Sequence, residues 1–180
     1  LSHENMLMML RKLFIGVLET TTKLLTEAIF LLAEKPDAFA RIHKDTQFGR
    51  HVVEELIRLG SPAQNILHTP TIDVGLAGVS IPAGSRIFVM FAAAHRDPEV
   101  FRSAEQFDPD RTNLGQHFGF GRGSHLCVGD PLARREMQVA LSSLSRRFLR
   151  PNVVPEQSVE YMSGFVLRGM TSLQLQFEAR

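Results

Sequence analysis

The sequence predicts a mainly α protein with small β-sheets, and three observations point there. Three long segments carry apolar residues at the helical period, around 1–34, 47–59 and 128–148. Residues 66–90 instead break into short apolar runs punctuated by glycine and proline. A glycine-rich loop with the only cysteine leads directly into the last of the helical segments. At 180 residues the chain is long enough for one domain with a real core, and 44% hydrophobic with 22% charged residues describes an ordinary globular protein. A net charge of +1 gives no reason to expect nucleic acid. One cysteine excludes an internal disulfide and fits a reducing compartment, the cytoplasm. No apolar run reaches the roughly 18 residues that a membrane span needs, and no signal peptide is apparent.

The first helix is expected from Leu1 to about Glu34, with Ser2 as N-cap and Leu10, Leu13, Phe14, Val17 and Leu24 at helical spacing. Gly16 followed by Glu19-Thr20-Thr21 interrupts its apolar face. Such residues either distort a helix locally, freeing backbone groups for a ligand, or tuck their hydroxyls against the helix's own carbonyls. Pro36 begins a short helix through His43, and a strongly amphipathic one covers Gln47 to Leu59, stopped by Gly60 and Ser61-Pro62. Its Glu55 and Arg58 share a helical face, which alone implies a surface pair worth a few tenths of a kcal/mol. Short strands are expected from Ile66 to Met90, then a loop with helical turns from His95 to Arg111, and strands again from Ser158 to Phe177. Between Arg111 and Arg150 lie seven arginines against Asp130 and Glu136. That is either a solvated basic face or a docking surface for an acidic partner.

The stretch Phe120-Gly-Arg-Gly-Ser-His-Leu-Cys-Val-Gly129 concentrates the chemistry. Gly121, Gly123 and Gly129, with Gly119 just outside, allow tight turns and close backbone approach. Pro131 sits in the first turn of the following helix, so Cys127 lies just before a helix N-terminus, whose partial positive charge favours a thiolate. A lone cysteine is most often a small buried hydrophobe, and His117, His125 and Cys127 lack the paired spacing of a zinc site. A single thiolate in a glycine loop looks like an axial ligand to haem iron.

These ten residues match the haem-binding signature of the cytochrome P-450 monooxygenases, with Phe120, Gly123, His125, Cys127, Val128 and Gly129 at its constrained positions. The chain also resembles that family in Gly16, Glu19 and Thr20, which match its oxygen-binding helix motif except that Val17 stands where glycine is usual. Glu55 and Arg58 match the family's Glu-x-x-Arg pair, and Arg111 matches the third member of that buried network. The resemblance implies the C-terminal half of the P-450 fold: long central helix, Glu-x-x-Arg helix, meander, Cys loop and following helix, with an N-terminal half absent. It implies haem b bound axially by Cys127, with Phe120, Gly121, Gly123, His125, Gly129 and His68 around the cofactor. Glu19 and Thr20 would deliver protons, and Gly16, Val17, Ile66, Leu67, Phe165 and Val166 would line the substrate pocket. Dioxygen would be activated to hydroxylate an apolar small molecule, with electrons from NAD(P)H arriving through an acidic, ferredoxin-like partner at the proximal face. Two rivals are a haem-thiolate peroxygenase, against which Glu19-Thr20 argues, and a truncated non-catalytic relative that binds haem weakly or not at all. The apolar stripe of Leu10, Phe14 and Leu25 is expected either to be covered within a longer polypeptide or to drive dimerisation.

Overall fold

The computed structural model describes residues 1–180. Four helices build the core: α1 (His3–Ala33), α2 (Pro36–Ile42), α3 (Thr46–Gly60) and, after a short α4 (Phe91–Ala94), α5 (Asp130–Arg147). Their contacting faces supply Leu24, Ala28, Leu32, Phe39, Val52, Val53, Leu56, Met137 and Leu141 to one buried cluster. The capping residues explain where the helices begin and stop. Ser2 accepts a hydrogen bond from the Asn5 amide at 3.2 Å, and Asp45 accepts one from the Phe48 amide at 2.9 Å. Ser61 ends α3 in the left-handed region, and its hydroxyl donates to the Arg58 carbonyl.

The strands form three separate two-stranded antiparallel sheets. β1 (Ile66–His68) pairs with β4 (Ile87–Val89), and β2 (Val74–Leu76) with β3 (Val79–Ile81). β5 (Phe148–Val153) pairs with β6 (Leu175–Ala179) beneath the helices, where the Phe148 and Phe177 rings lie 4.7 Å apart. Most of the expected tail strand is absent. Between Ser158 and Gln174 only the single bridges Tyr161↔Met170 and Ala63↔Leu167 occur, because Ser163-Gly164 and Arg168-Gly169 break the alternation. The expected helix 128–148 is shorter at both ends, with Gly129 as its N-cap and Phe148 already extended in β5.

The helix α1 runs unbroken through Gly16–Thr21, without the expected distortion. The hydroxyls of Thr20 and Thr22 donate to the carbonyls of Gly16 and Leu18, each at 2.6 Å, and so add to the helical hydrogen bonds rather than replacing them. Only the second half of α1 is buried. Met6, Leu7, Leu10, Leu13, Phe14 and Leu18 are exposed, whereas Leu25, expected on the uncovered stripe, packs against the core.

Candidate functional site

The Cys127 loop folds back on itself over a short distance. The Cys127 amide donates to the Phe120 carbonyl at 2.9 Å, and a 3₁₀ turn over Gly123–His125 carries the chain between them. Gly121 and Gly123 both adopt positive φ, 70° and 75°, which side chains disfavour. Gly119 is required for space instead: a Cβ there would stand 2.3 Å from the Ile57 side chain. Cys127 is exposed, so it is not the buried small hydrophobe that a lone cysteine usually is.

Its surroundings form a cavity of about 500 Å³ between the loop and α1. Leu13, Gly16, Val17, Thr20 and Leu24 line it from α1, and Ile66, His68 and Val89 from the β1–β4 sheet. The loop contributes Phe118 to Arg122, His125 and Cys127 to Gly129, and α5 adds Leu132, Ala133 and Glu136. Most of this wall is apolar, with one thiol on one side and the cationic or titratable side chains of His68, Arg122 and His125 among its polar members. A soft sulfur donor, an apolar slot and basic groups make a donor set suited to a flat, anionic iron macrocycle.

Several residues named from the sequence do meet at this cavity: Gly16, Val17, Thr20, Ile66, His68, Phe120, Gly121, His125, Cys127 and Gly129. Gly123 sits in the loop beside it. Others lie elsewhere. Leu67 points away from Ile66 and His68, as strand alternation requires, and stands opposite Phe88. Phe165 packs edge-on against Phe88 at 5.0 Å, outside the lining, and the Phe165 and Val166 carbonyls are taken by Asn65 and the Gln64 amide. The Glu19 carboxylate also lies outside the lining, held by Lys23 at 2.9 Å on the same helix.

Behind the loop, Glu55, Arg58 and Arg111 form one buried network rather than a surface pair. Glu55 and Arg58 are wholly buried and join through two parallel bonds of 2.7 and 2.8 Å. Glu55 also accepts from Arg111 Nε at 3.1 Å and from the Asp108 amide at 3.0 Å. The remaining Arg58 donors reach the carbonyls of His95, Ala104 and Gln106. Arg111 donates to those of Arg102, Ser103 and Gln106. The two guanidinium groups share the one carboxylate and give their remaining donors to carbonyls, the condition under which burying such charges is tolerable.

A second polar cluster was not evident in the sequence. Glu54, the neighbour of Glu55, accepts a forked pair from Arg134 at 2.6 and 3.0 Å and a bond from His117 Nε2 at 2.9 Å. Burial by itself would raise the Glu54 carboxyl, but the hydrogen bonds from His117 and Arg134 and the guanidinium charge hold it down to about 2. Arg134 also bonds Asp130 and lies 4.5 Å over the Phe120 ring. His95, fully buried, accepts the Phe118 amide at Nε2 and donates from Nδ1 to Ser61. Burial lowers its pKa to about 4, so it is neutral in the fold. The only signals for this cluster in the sequence were the doubled glutamate and two histidines spaced far along the chain.

Of the seven arginines, Arg111, Arg134 and Arg150 are engaged by Glu55, Glu54 with Asp130, and Glu178. Arg122 lies over the Phe118 ring. The expected basic surface is therefore narrower, with Arg135, Arg146 and Arg147 exposed on α5. No helix is long and apolar enough to cross a membrane.

Comparison with known proteins agrees with this architecture. The chain is 35% identical over 169 residues to cytochrome p450 CYP199A2 of Rhodopseudomonas palustris, covering 94% of this chain and 40% of the relative. It is 34% identical to the cytochrome P450 monooxygenase PikC of Streptomyces venezuelae, covering 98% of this chain and 43% of that one. It thus spans about two fifths of the length of these relatives. Among solved structures it superposes on CYP109E1 from Bacillus megaterium, in complex with corticosterone, with a TM-score of 0.90 at 32% identity. That match covers 98% of this chain and 47% of the other. The family model for Cytochrome P450 matches residues 1–176. The mainly α architecture with its small antiparallel sheets is that family's fold, and the chain belongs to the cytochrome P450 family.

Proposed function

We propose that this chain is the haem-ligating portion of a haem-thiolate monooxygenase, holding haem b through Cys127 and acting on an apolar small molecule. The observation that carries this reading is that the Cys127 thiol and the Gly16–Thr20 face of α1 line one apolar cavity. The cofactor, when bound, supplies the activation of dioxygen. The protein's own residues bind, orient and exclude water. Cys127 provides the thiolate, and Phe120, Gly121, Gly123 and Gly129 shape the loop that presents it. His125, Arg122 and His68 supply basic groups for the anionic edge of the macrocycle.

Thr20 lines the cavity, and its hydroxyl proton is given to the Gly16 carbonyl, which leaves the oxygen free to accept a proton-bearing ligand. A proton-delivering role for Glu19 requires its release from Lys23. Gly16, Val17 and Ile66 set the apolar surface against which a substrate packs. Arg135 and Arg146 lie eleven residues apart on α5, hence on one face, and with Arg147 they form the patch offered to an acidic electron carrier fed by NAD(P)H.

A second reading, that the 180 residues alone bind haem weakly, has the exposed first half of α1 in its favour. One measurement separates the two. The purified chain, supplied with haem, reduced and exposed to carbon monoxide, should show the strongly red-shifted Soret band of thiolate ligation, and Cys127→His should abolish it. An unchanged spectrum in the variant removes Cys127 as ligand, and no haem uptake by the wild-type chain supports the second reading.

A further inference from the structure

Two adjacent glutamates on α3 reach different parts of the chain. Successive helical residues are rotated by about 100°, so Glu54 and Glu55 cannot face the same neighbour. Glu55 grips the loop that ends at Arg111. Glu54 instead grips both flanks of the Cys127 loop. His117 lies ten residues before the cysteine and Arg134 seven after it, and one carboxylate holds them both.

Each flank is then tied into the loop itself. The Gly119 amide donates to His117 Nδ1 at 3.1 Å, which fixes the proton of that ring on Nε2, where it is donated to Glu54. The adjacent Phe118 amide is accepted by His95. On the other flank Arg134 covers the Phe120 ring, and the Phe120 carbonyl accepts the Cys127 amide. The path from the Glu54 carboxylate to the cysteine backbone is therefore continuous on both sides.

We propose that Glu54 is the positioning residue of the Cys127 loop: by closing its two flanks on one carboxylate, it fixes where the thiol stands relative to α3 and the cavity. This rests on the reading of Cys127 as the haem ligand. A carboxylate that merely added general stability would be replaceable by any pair of contacts elsewhere on α3. One that positions the loop acts on residues 117–129 and leaves the Glu55 network in place.

Hydrogen exchange followed by mass spectrometry on the 180-residue chain tests this, with Glu54→Ala, Glu54→Gln and Arg134→Lys. In Glu54→Ala the amides of residues 117–129 should exchange about ten-fold faster or more, the size expected when a charge-assisted hydrogen bond is lost. Residues 55–60 and 101–111 should keep their protection. Glu54→Gln and Arg134→Lys, which retain shape or charge but lose the fork, should give the same local change at smaller size, and they carry the test if Glu54→Ala does not fold. Unchanged exchange over 117–129, or an equal loss in every segment, overturns the proposal. In the haem-loaded chain the same variants should move part of the reduced carbon monoxide band away from the thiolate position. If Cys127→His leaves that band unchanged, the ligand assignment fails while the exchange result stands. If the band depends on Cys127 but exchange over 117–129 is unaffected by Glu54→Ala, the positioning role alone fails.

Discussion

Substituting Glu55 by alanine should cost about 3–5 kcal/mol, the penalty for stranding a buried charge. The size follows from what is left behind. Glu55 accepts four hydrogen bonds, two from Arg58, one from Arg111 and one from the Asp108 amide. Its removal leaves the Arg58 guanidinium fully buried, with three carbonyls to satisfy its N–H groups but no negative charge. Arg111→Ala should cost less, roughly 1.5–3 kcal/mol, because the Glu55–Arg58 pair survives it and the three carbonyls Arg111 also serves, of Arg102, Ser103 and Gln106, are in exposed bonds that water can replace. Arg150→Ala breaks the exposed pair with Glu178 and should cost under about 1 kcal/mol. Urea melts of the three variants should therefore rank Glu55→Ala, Arg111→Ala, Arg150→Ala. With total stabilities of about 5–15 kcal/mol, the first unfolds at low denaturant, and its midpoint should fall furthest. A Glu55→Ala midpoint level with that of Arg150→Ala would refute the claim that burial sets the cost.

Two further outcomes follow from the loop and its supports. His95 is neutral in the fold and free to take a proton once unfolded, so between pH 6.5 and about 4 the unfolded chain binds more protons and stability falls as pH falls. The interval corresponds to roughly 3 kcal/mol, present in full above pH 6.5, and melts of wild type and His95→Gln across that window should differ in slope accordingly. Gly119→Ala would place a methyl group against the Ile57 γ2-methyl in a buried contact, costing about 1–3 kcal/mol by overpacking, and Gly119→Ala combined with Ile57→Ala, which removes that methyl, should cost less than the sum of the two single changes in thermal melts.

What could be read from the sequence was whatever is decided locally. The helices declare themselves by period and end signals, as in Ser2 and Ser61, because both are properties of a few consecutive residues, whereas the Asp45 cap of α3 is missed by the expected start at Gln47. The Cys127 loop is legible for the same reason, its glycines and cysteine lying within ten residues. What depends on packing between distant segments was not legible. Leu67 and Ile66 have the same chemistry, and only the pairing of β1 with β4 decides which one faces the cavity. Glu19 beside Thr20 looks like a functional pair, yet Lys23 one turn later turns the carboxylate aside. β5 contains Arg150 and Pro151, which spoil its alternation, and it exists because the chain's last residues pair with it.

The role of α3 shows why such a site needs long-range contacts at all. A glycine-rich loop is permissive by composition, so its own residues cannot hold a cysteine in one place. Rigidity has to come from a helix that is itself fixed, and α3 is buried along most of its length. On one side it meets α1, where Gly60 lies close enough to Leu24 that a Cβ would stand 3.0 Å from it. Leu24 and Ile57 both line the cavity, so the packing of the two helices sets the wall that faces the thiol. On its other sides α3 carries Glu54 to the loop flanks and Glu55 to the segment ending at Arg111. One helix thus refers the thiol loop, the α1 wall and the buried ion network to a single frame. A change in the rotation of α3 would move both carboxylates together, which is why the two networks belong on neighbouring residues rather than on separate elements.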